Sequence, residues 1–130
     1  MNWQIDHSSL PEYIRASLDG TPTLEDYQAF WTELIGSENW RPGTPILKDI
    51  RNRERLGSDG YDIVRSVAEF LTSENERVGQ SMLAIVANAH DGYSYGRVLE
   101  YGLRIRNSGI VIRTFGDEEA AIEWLGQSKR

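Results

Sequence analysis

The chain has 130 residues, of which 39% are hydrophobic, 10% aromatic and 26% charged, the balance of a globular domain with enough apolar side chain for one core. It has no cysteine, which excludes a disulfide scaffold, a thiolate metal site and a thiol nucleophile. With 14 Lys plus Arg against 20 Asp plus Glu, the formal charge of −6 argues against nucleic acid and anionic membrane surfaces as partners.

In chain order, Trp3 to His7 and Tyr13 to Leu18 read as the strands of an N-terminal hairpin, separated by Ser8-Ser9-Leu10-Pro11-Glu12, whose proline cannot donate to a ladder. Leu24, Tyr27, Phe30, Trp31, Leu34 and Ile35 have the spacing of one buried helical face, and Thr23 with Asp26 marks where that helix starts. Gly36 to Gly43 is turn-rich and delivers the chain into a short strand, Pro45 to Ile50. Arg51-Asn52-Arg53-Glu54-Arg55 reads as a basic loop that ends at Gly57-Ser58-Asp59-Gly60. Val64, Val67, Ala68 and Leu71 predict a second helix, and Thr72 to Gly79 breaks its pattern. Ser81 to Ala87 is continuously apolar, as in a strand covered on both faces, and is expected to be the central strand. Asn88 to Gly92 reads as a loop, Tyr95, Val98, Leu99 and Gly102 or Leu103 as a third helix, and Ile110 to Phe115 as a strand. Asp117 then caps a last helix carrying Ala120, Ala121, Trp124 and Leu125, which Gly126 can close.

This order predicts an α/β fold: a single mixed, mostly parallel sheet with an N-terminal β-hairpin and about four helices, forming one domain over residues 1–130. The loops after Asp49 and Asn88 then leave the carboxyl ends of strands along one rim, where such sheets usually meet ligands and partners. The run Met82 to Ala87 is too short to cross a bilayer, and Met1-Asn2-Trp3-Gln4 lacks the basic start and apolar stretch of a signal peptide. A cytoplasmic protein with no integral membrane segment is the expectation.

The order and the residues resemble the STAS domain superfamily, specifically the SpoIIAA-like proteins related to bacterial anti-anti-sigma factors. Gly20-Thr21-Pro22-Thr23 before the first helix, the strand Ile46 to Ile50, the strand Leu83 to Val86 and the terminal Glu119 to Leu125 carry the resemblance over nearly the whole chain. It implies a SpoIIAA-like STAS domain that binds a partner protein rather than catalysing a reaction. In anti-anti-sigma factors the comparable strand is followed by Asp-Ser-Ser-Gly at a helix start, where a partner kinase phosphorylates one serine. Matching the glycines puts Ser58 on the first serine and Asp59 on the phosphorylated one, ahead of Gly60. A carboxylate there imitates the phosphorylated state, since both set negative charge against the positive end of a helix. The plainer reading of Ser58 or Asp59 is an N-cap.

Gly92-Tyr93-Ser94-Tyr95-Gly96 matches the G-x-S-x-G nucleophile elbow and suggests a rival class, a small hydrolase using Ser94 with His90 and Asp91. Against it, both histidines, His7 and His90, precede Ser94, and four residues separate the strand from Gly92. The same two histidines, with scattered carboxylates, give no ligand spacing for a metal, and no phosphate-binding glycine loop occurs, so neither metal nor cofactor is implied. Arg51, Arg53 and Arg55, and Arg104, Arg106 and Arg113, read as solvated loop charge or as local partner patches. Trp31 and Trp124 belong on core faces, whereas Trp3, Trp40, Tyr93 and Tyr95 stand near turns, where aromatic rings line pockets for a small apolar ligand or a protein. The candidate binding residues are therefore Asp49, Arg51, Asn88, His90, Asp91, Tyr93 and Tyr95, with Ser58, Asp59 and Gly60 as the phosphoacceptor-like helix start. The free edge of the hairpin leaves room for a homodimer.

Overall fold

The computed structural model describes residues 1–54, 56, 60–87, 90–105 and 108–127, with the backbone alone at 90–94, 101 and 105. The hairpin forms from β1 (Asn2–Asp6) and β2 (Ile14–Gly20), paired antiparallel with Gln4 opposite Ser17. Helix α1 (Leu24–Gly36) starts where Thr23 accepts a hydrogen bond from the Asp26 amide, 3.1 Å, and buries Tyr27, Phe30, Trp31, Leu34 and Ile35. Then follow β3 (Ile46–Arg53), α2 (Gly60–Ser73), the single turn α3 (Asn75–Val78), β4 (Met82–Val86), α4 (His90–Ile105), β5 (Val111–Phe115) and α5 (Glu118–Gln127). Asp117 Oδ1 accepts from the Glu119 amide at the start of α5, the expected cap.

The five strands lie in chain order, β1-β2-β3-β4-β5, and β2 through β5 run parallel. Each crossover steps the same way along the sheet, so a constant right-handed crossover puts α1, α2 and α4 on one face. The main core lies between them and Ile14, Ala16, Leu18, Ile46, Ile50, Leu83, Ile85 and Ile112. Helix α5, which follows β5, lies on the opposite face, where Ala121 and Leu125 cover Leu47, Ala84 and Val86.

Three sequence expectations change. The apolar run of β4 is interior, but the middle place belongs to β3, because the antiparallel hairpin adds two strands on one side and β5 only one on the other. Helix α4 begins at His90, so residues 90–92 are helical rather than loop. The basic stretch Arg51 to Arg53 is also not a loop: β3 runs through it, pairing Asn52 with Asp19 and Arg53 with Gly20. The register slips between Ser17 and Asp19, so β3 carries one residue more than β2 and the side-chain alternation resets. Ile50 faces the main core, Arg51 and Asn52 fall on the α5 face, and Arg53 returns to the core side.

Candidate functional site

Asp49 lies opposite Val86, the last residue of β4, and β3 runs on past it along β2 to Arg53. The expected loop after Asp49 therefore starts only beyond Arg53, and the two parallel strands point their carboxyl ends to the same side of the sheet. From that side the chain continues toward α2 and α4. Ser58, Asp59 and Asn88 lie outside the described residues. Gly60 is the buried first residue of α2, where a Cβ would stand 2.8 Å from the Leu56 Cβ, so the backbone there is packed too closely for a side chain. His90, Asp91, Tyr93 and Ser94 stand in the first turns of α4. Ser94 is therefore well inside a helix, whereas a nucleophile elbow needs its serine on the turn that joins strand to helix.

Tyr95 is in the core, not on a cleft. Only 2% exposed, it stacks on Tyr27 with ring centroids 5.9 Å apart, and its hydroxyl accepts a hydrogen bond of 2.8 Å from Lys48 Nζ. Lys48 is fully buried because its position in β3 shares the inward face with Ile46 and Ile50. Its ammonium lies over three rings, 4.7 Å from the centroid of Tyr95, 5.3 Å from Trp31 and 5.5 Å from Tyr27. The bulge turns Arg53 into the same cluster, where it donates to the Tyr27 hydroxyl at 2.6 Å and sits 4.8 Å from the Tyr95 ring. Burial holds the Lys48 amine well below the ordinary lysine range, and the charge of Arg53 pushes it the same way. Burial likewise raises the Tyr95 phenol well above its usual value, with Tyr27 adding and Arg53 opposing. Trp31 Nε1 is buried with no acceptor among the described residues.

Asp49 and Arg51 are brought together on the other face. Arg51 Nε donates to Asp49 Oδ1 at 2.9 Å and its backbone amide to the same oxygen at 3.0 Å. Arg15 and Arg51 each reach Asp49 Oδ2 at 2.8 Å and Glu118 Oε1 at 2.8 and 3.0 Å, closing a quartet of two guanidiniums and two carboxylates. Asp49, with its side chain 8% exposed, would be raised by burial, but the hydrogen bonds and charge of Arg51, and then Arg15, hold it below the usual carboxylate range. Glu118 also sets its charge against the first turn of α5. The candidate set thus divides between the two faces of the sheet, Asp49 and Arg51 under α5 and Tyr95 of α4 in the core on the other face, against Tyr27 of α1.

Sequence reasoning missed Lys48, Tyr27 and Arg53 as a group, and Arg15 and Glu118 as partners of Asp49. A lysine at the inward parity of the apolar strand Ile46 to Ile50 was the signal available for the first. Of the remaining aromatics, Trp40 is buried with Nε1 donating to the Arg77 carbonyl at 2.7 Å, Trp3 lies edge-on to Phe30 with its indole N–H on Glu33, and Trp124 packs on Phe115. Among the described residues no group of three or more His, Asp or Glu side chains could hold a metal ion, and no helix is long and apolar enough to cross a membrane.

In sequence, no protein-family model and no curated protein matches the chain. In structure it is similar to an uncharacterised protein of the DUF3478 family from Shewanella loihica PV-4, described as having a SpoIIAA-like fold. The TM-score is 0.62 at 18% identity, over 95% of this chain and 92% of that one. A five-stranded sheet opened by an antiparallel hairpin and continued by parallel strands, matched over nearly its full length to that neighbour, gives this chain the SpoIIAA-like fold.

Proposed function

We propose that the protein is a non-catalytic binding and regulatory module that meets a partner protein through the rim where β3 and β4 end, in the segments from Glu54 to Gly60 and from Asn88 to Ser94. The observation that carries this reading is the burial of Lys48 at 0% and Tyr95 at 2% exposure. Groups perturbed for catalysis ordinarily face a cleft that admits substrate. Here the pair is sealed among aromatic rings and stiffens the floor beneath the rim. The SpoIIAA-like fold supports a regulatory role in general, and the carboxyl-end rim of parallel strands is where folds of this kind usually make their contacts.

The test compares proteins captured from native lysate by the wild-type chain and by the double variant Ser58→Ala/Asp59→Ala. The expected result is a partner lost with the variant while stability stays within about 1 kcal/mol, the size of a lost helix cap. Identical capture by both chains would remove the rim as the interface. Covalent labelling of Ser94 by a serine-reactive probe would replace the reading with that of a hydrolase.

A further inference from the structure

Strand β5 closes one side of the sheet, and among the described residues no strand lies beyond it. The Val111 amide donates to the Ser81 carbonyl and the Phe115 carbonyl accepts from the Ala87 amide, so alternate residues of β5 face β4. By the same alternation the backbone groups of Ile112 and Thr114 face outward, where a further strand would pair. Helix α4 flanks this edge. Between them run two hollows of about 220 and 360 Å³ that share Glu100 and Ile112, the first reaching Thr114 and the second Val111. A strand of five residues with a continuous groove beside it suits an extended peptide of about that length, whose alternate side chains would enter the hollows.

The charges along the groove decide what kind of peptide. Arg97 and Arg104 line it against the single carboxylate of Glu100, on a chain whose net charge is −6. Arg113, its guanidinium 5.4 Å from the Phe115 ring, flanks the same edge on the α5 face, where the alternate side chains of an added strand would meet it. Glu100 pairs with Arg104 at 3.6 Å, and no ion pair engages Arg97 or Arg113 among the described residues. A second copy of this chain is a poor occupant. Arg113 is the middle residue of β5, so a two-fold antiparallel pairing centred there would set Arg113 against its own copy, and like charges directly opposite are destabilising. We infer that the α4–β5 edge is a docking groove for an extended acidic segment of a partner protein, which adds a sixth strand to the sheet beside Ile112 and Thr114. This surface is distinct from the β3–β4 rim and does not depend on it.

The test uses a pool of capped heptapeptides alternating Glu or Asp with Val, Ile or Thr, and a matched pool with Lys in the acidic positions, titrated into the full ¹⁵N-labelled chain. The acidic pool is expected to shift and protect the Ile112 and Thr114 amides, and the basic pool to leave them unmoved. Arg97→Glu/Arg113→Glu, with its folding checked by the rest of the amide spectrum, is expected to weaken acidic binding at least tenfold; Glu100→Gln is expected to preserve it. The inference is overturned by no binding at millimolar peptide, by equal binding of both pools, by shifts confined to the β3–β4 rim, or by protection of Ile112 and Thr114 through dimerisation without peptide.

Discussion

An amine at the centre of three aromatic rings gains from their negative faces but gives up its hydration. In Lys48 the second effect prevails, which is why its folded-state pKa falls. The sign for stability follows. Below the folded pKa both folded and unfolded chains carry the proton and the full burial penalty applies. Between the folded value and the ordinary lysine value, about 10.4, the unfolded chain binds more protons, so stability rises with pH. Lys48→Met is therefore expected to be more stable than wild type at pH 7, on the order of 1–4 kcal/mol, the scale seen when buried charges give way to apolar side chains of like volume. Its advantage should shrink as the pH approaches 10, and urea denaturation at pH 7 and pH 9.5 reads both effects; a destabilised variant with an unchanged pH slope would show that the amine, through Tyr95, is holding the core. Above pH 10 the raised Tyr95 phenol acts in the other direction, since the unfolded chain then loses a proton that the folded chain keeps. Lys48 was legible in the sequence as the one charge on the inward parity of an apolar strand, but its company was not. Tyr27 and Tyr95 stand in different helices, and only the folding of α1 and α4 onto the same face of the sheet brings them onto the same amine.

The elements were placed by periodicity, and they shifted where a local packing demand overrode it. Gly92 is expected to end a loop, yet it lies in α4, and Gly96, within the expected third helix, has a packing reason to be there. A Cβ at Gly96 would run into the Thr114 hydroxyl and stand 3.3 Å from the Thr114 Cβ, a β-branched side chain with little room to turn aside. The glycine lets α4 lie close on β5. Gly96→Ala is accordingly expected to lose about 1–3 kcal/mol through overpacking, despite the gain of up to about 1 kcal/mol from removing a helical glycine. Gly126→Ala, where a Cβ meets nothing within 4 Å, should be neutral or slightly stabilising by the same thermal measurement. Equal behaviour of the two variants would mean that α4 does not approach β5 so closely. The basic stretch after Ile50 shows the complementary case, in which residues that look like loop by charge continue the strand. Arg51 is held by Asp49 and Glu118, and the extra residue of the bulge lets Arg53 reach the aromatic cluster. A bulge leaves no mark in an alternation of arginines, because a guanidinium serves as well on a solvated face as over a ring.

For the molecule as a whole, alternation of strands with helices gave the class and the parallel pairing, because parallel neighbours need a crossover long enough to hold a helix. Which strand stood in the middle depended on the hairpin's side of the sheet, which local patterns do not encode. Burial in this sheet is uneven. Ala84 and Ile85 have a strand on each side and helices on both faces, whereas the outward amides of Ile112 and Thr114 have, among the described residues, neither strand nor ladder partner beyond them. Native-state hydrogen exchange should therefore find Ala84 and Ile85 exchanging only through global unfolding, with a steep dependence on denaturant, and Ile112 and Thr114 exchanging through local opening with almost none. Matching denaturant slopes at the two sets would indicate that the edge of β5 is covered.

Since every strand rests against its predecessor in the chain, no late-made stretch has to be threaded between pieces already in position. A nascent chain leaving the ribosome can lay down this sheet as a growing ribbon, each new crossover docking on a margin that is already there. Among the described residues β5 is the outermost of these strands, and its margin keeps the capacity to accept another.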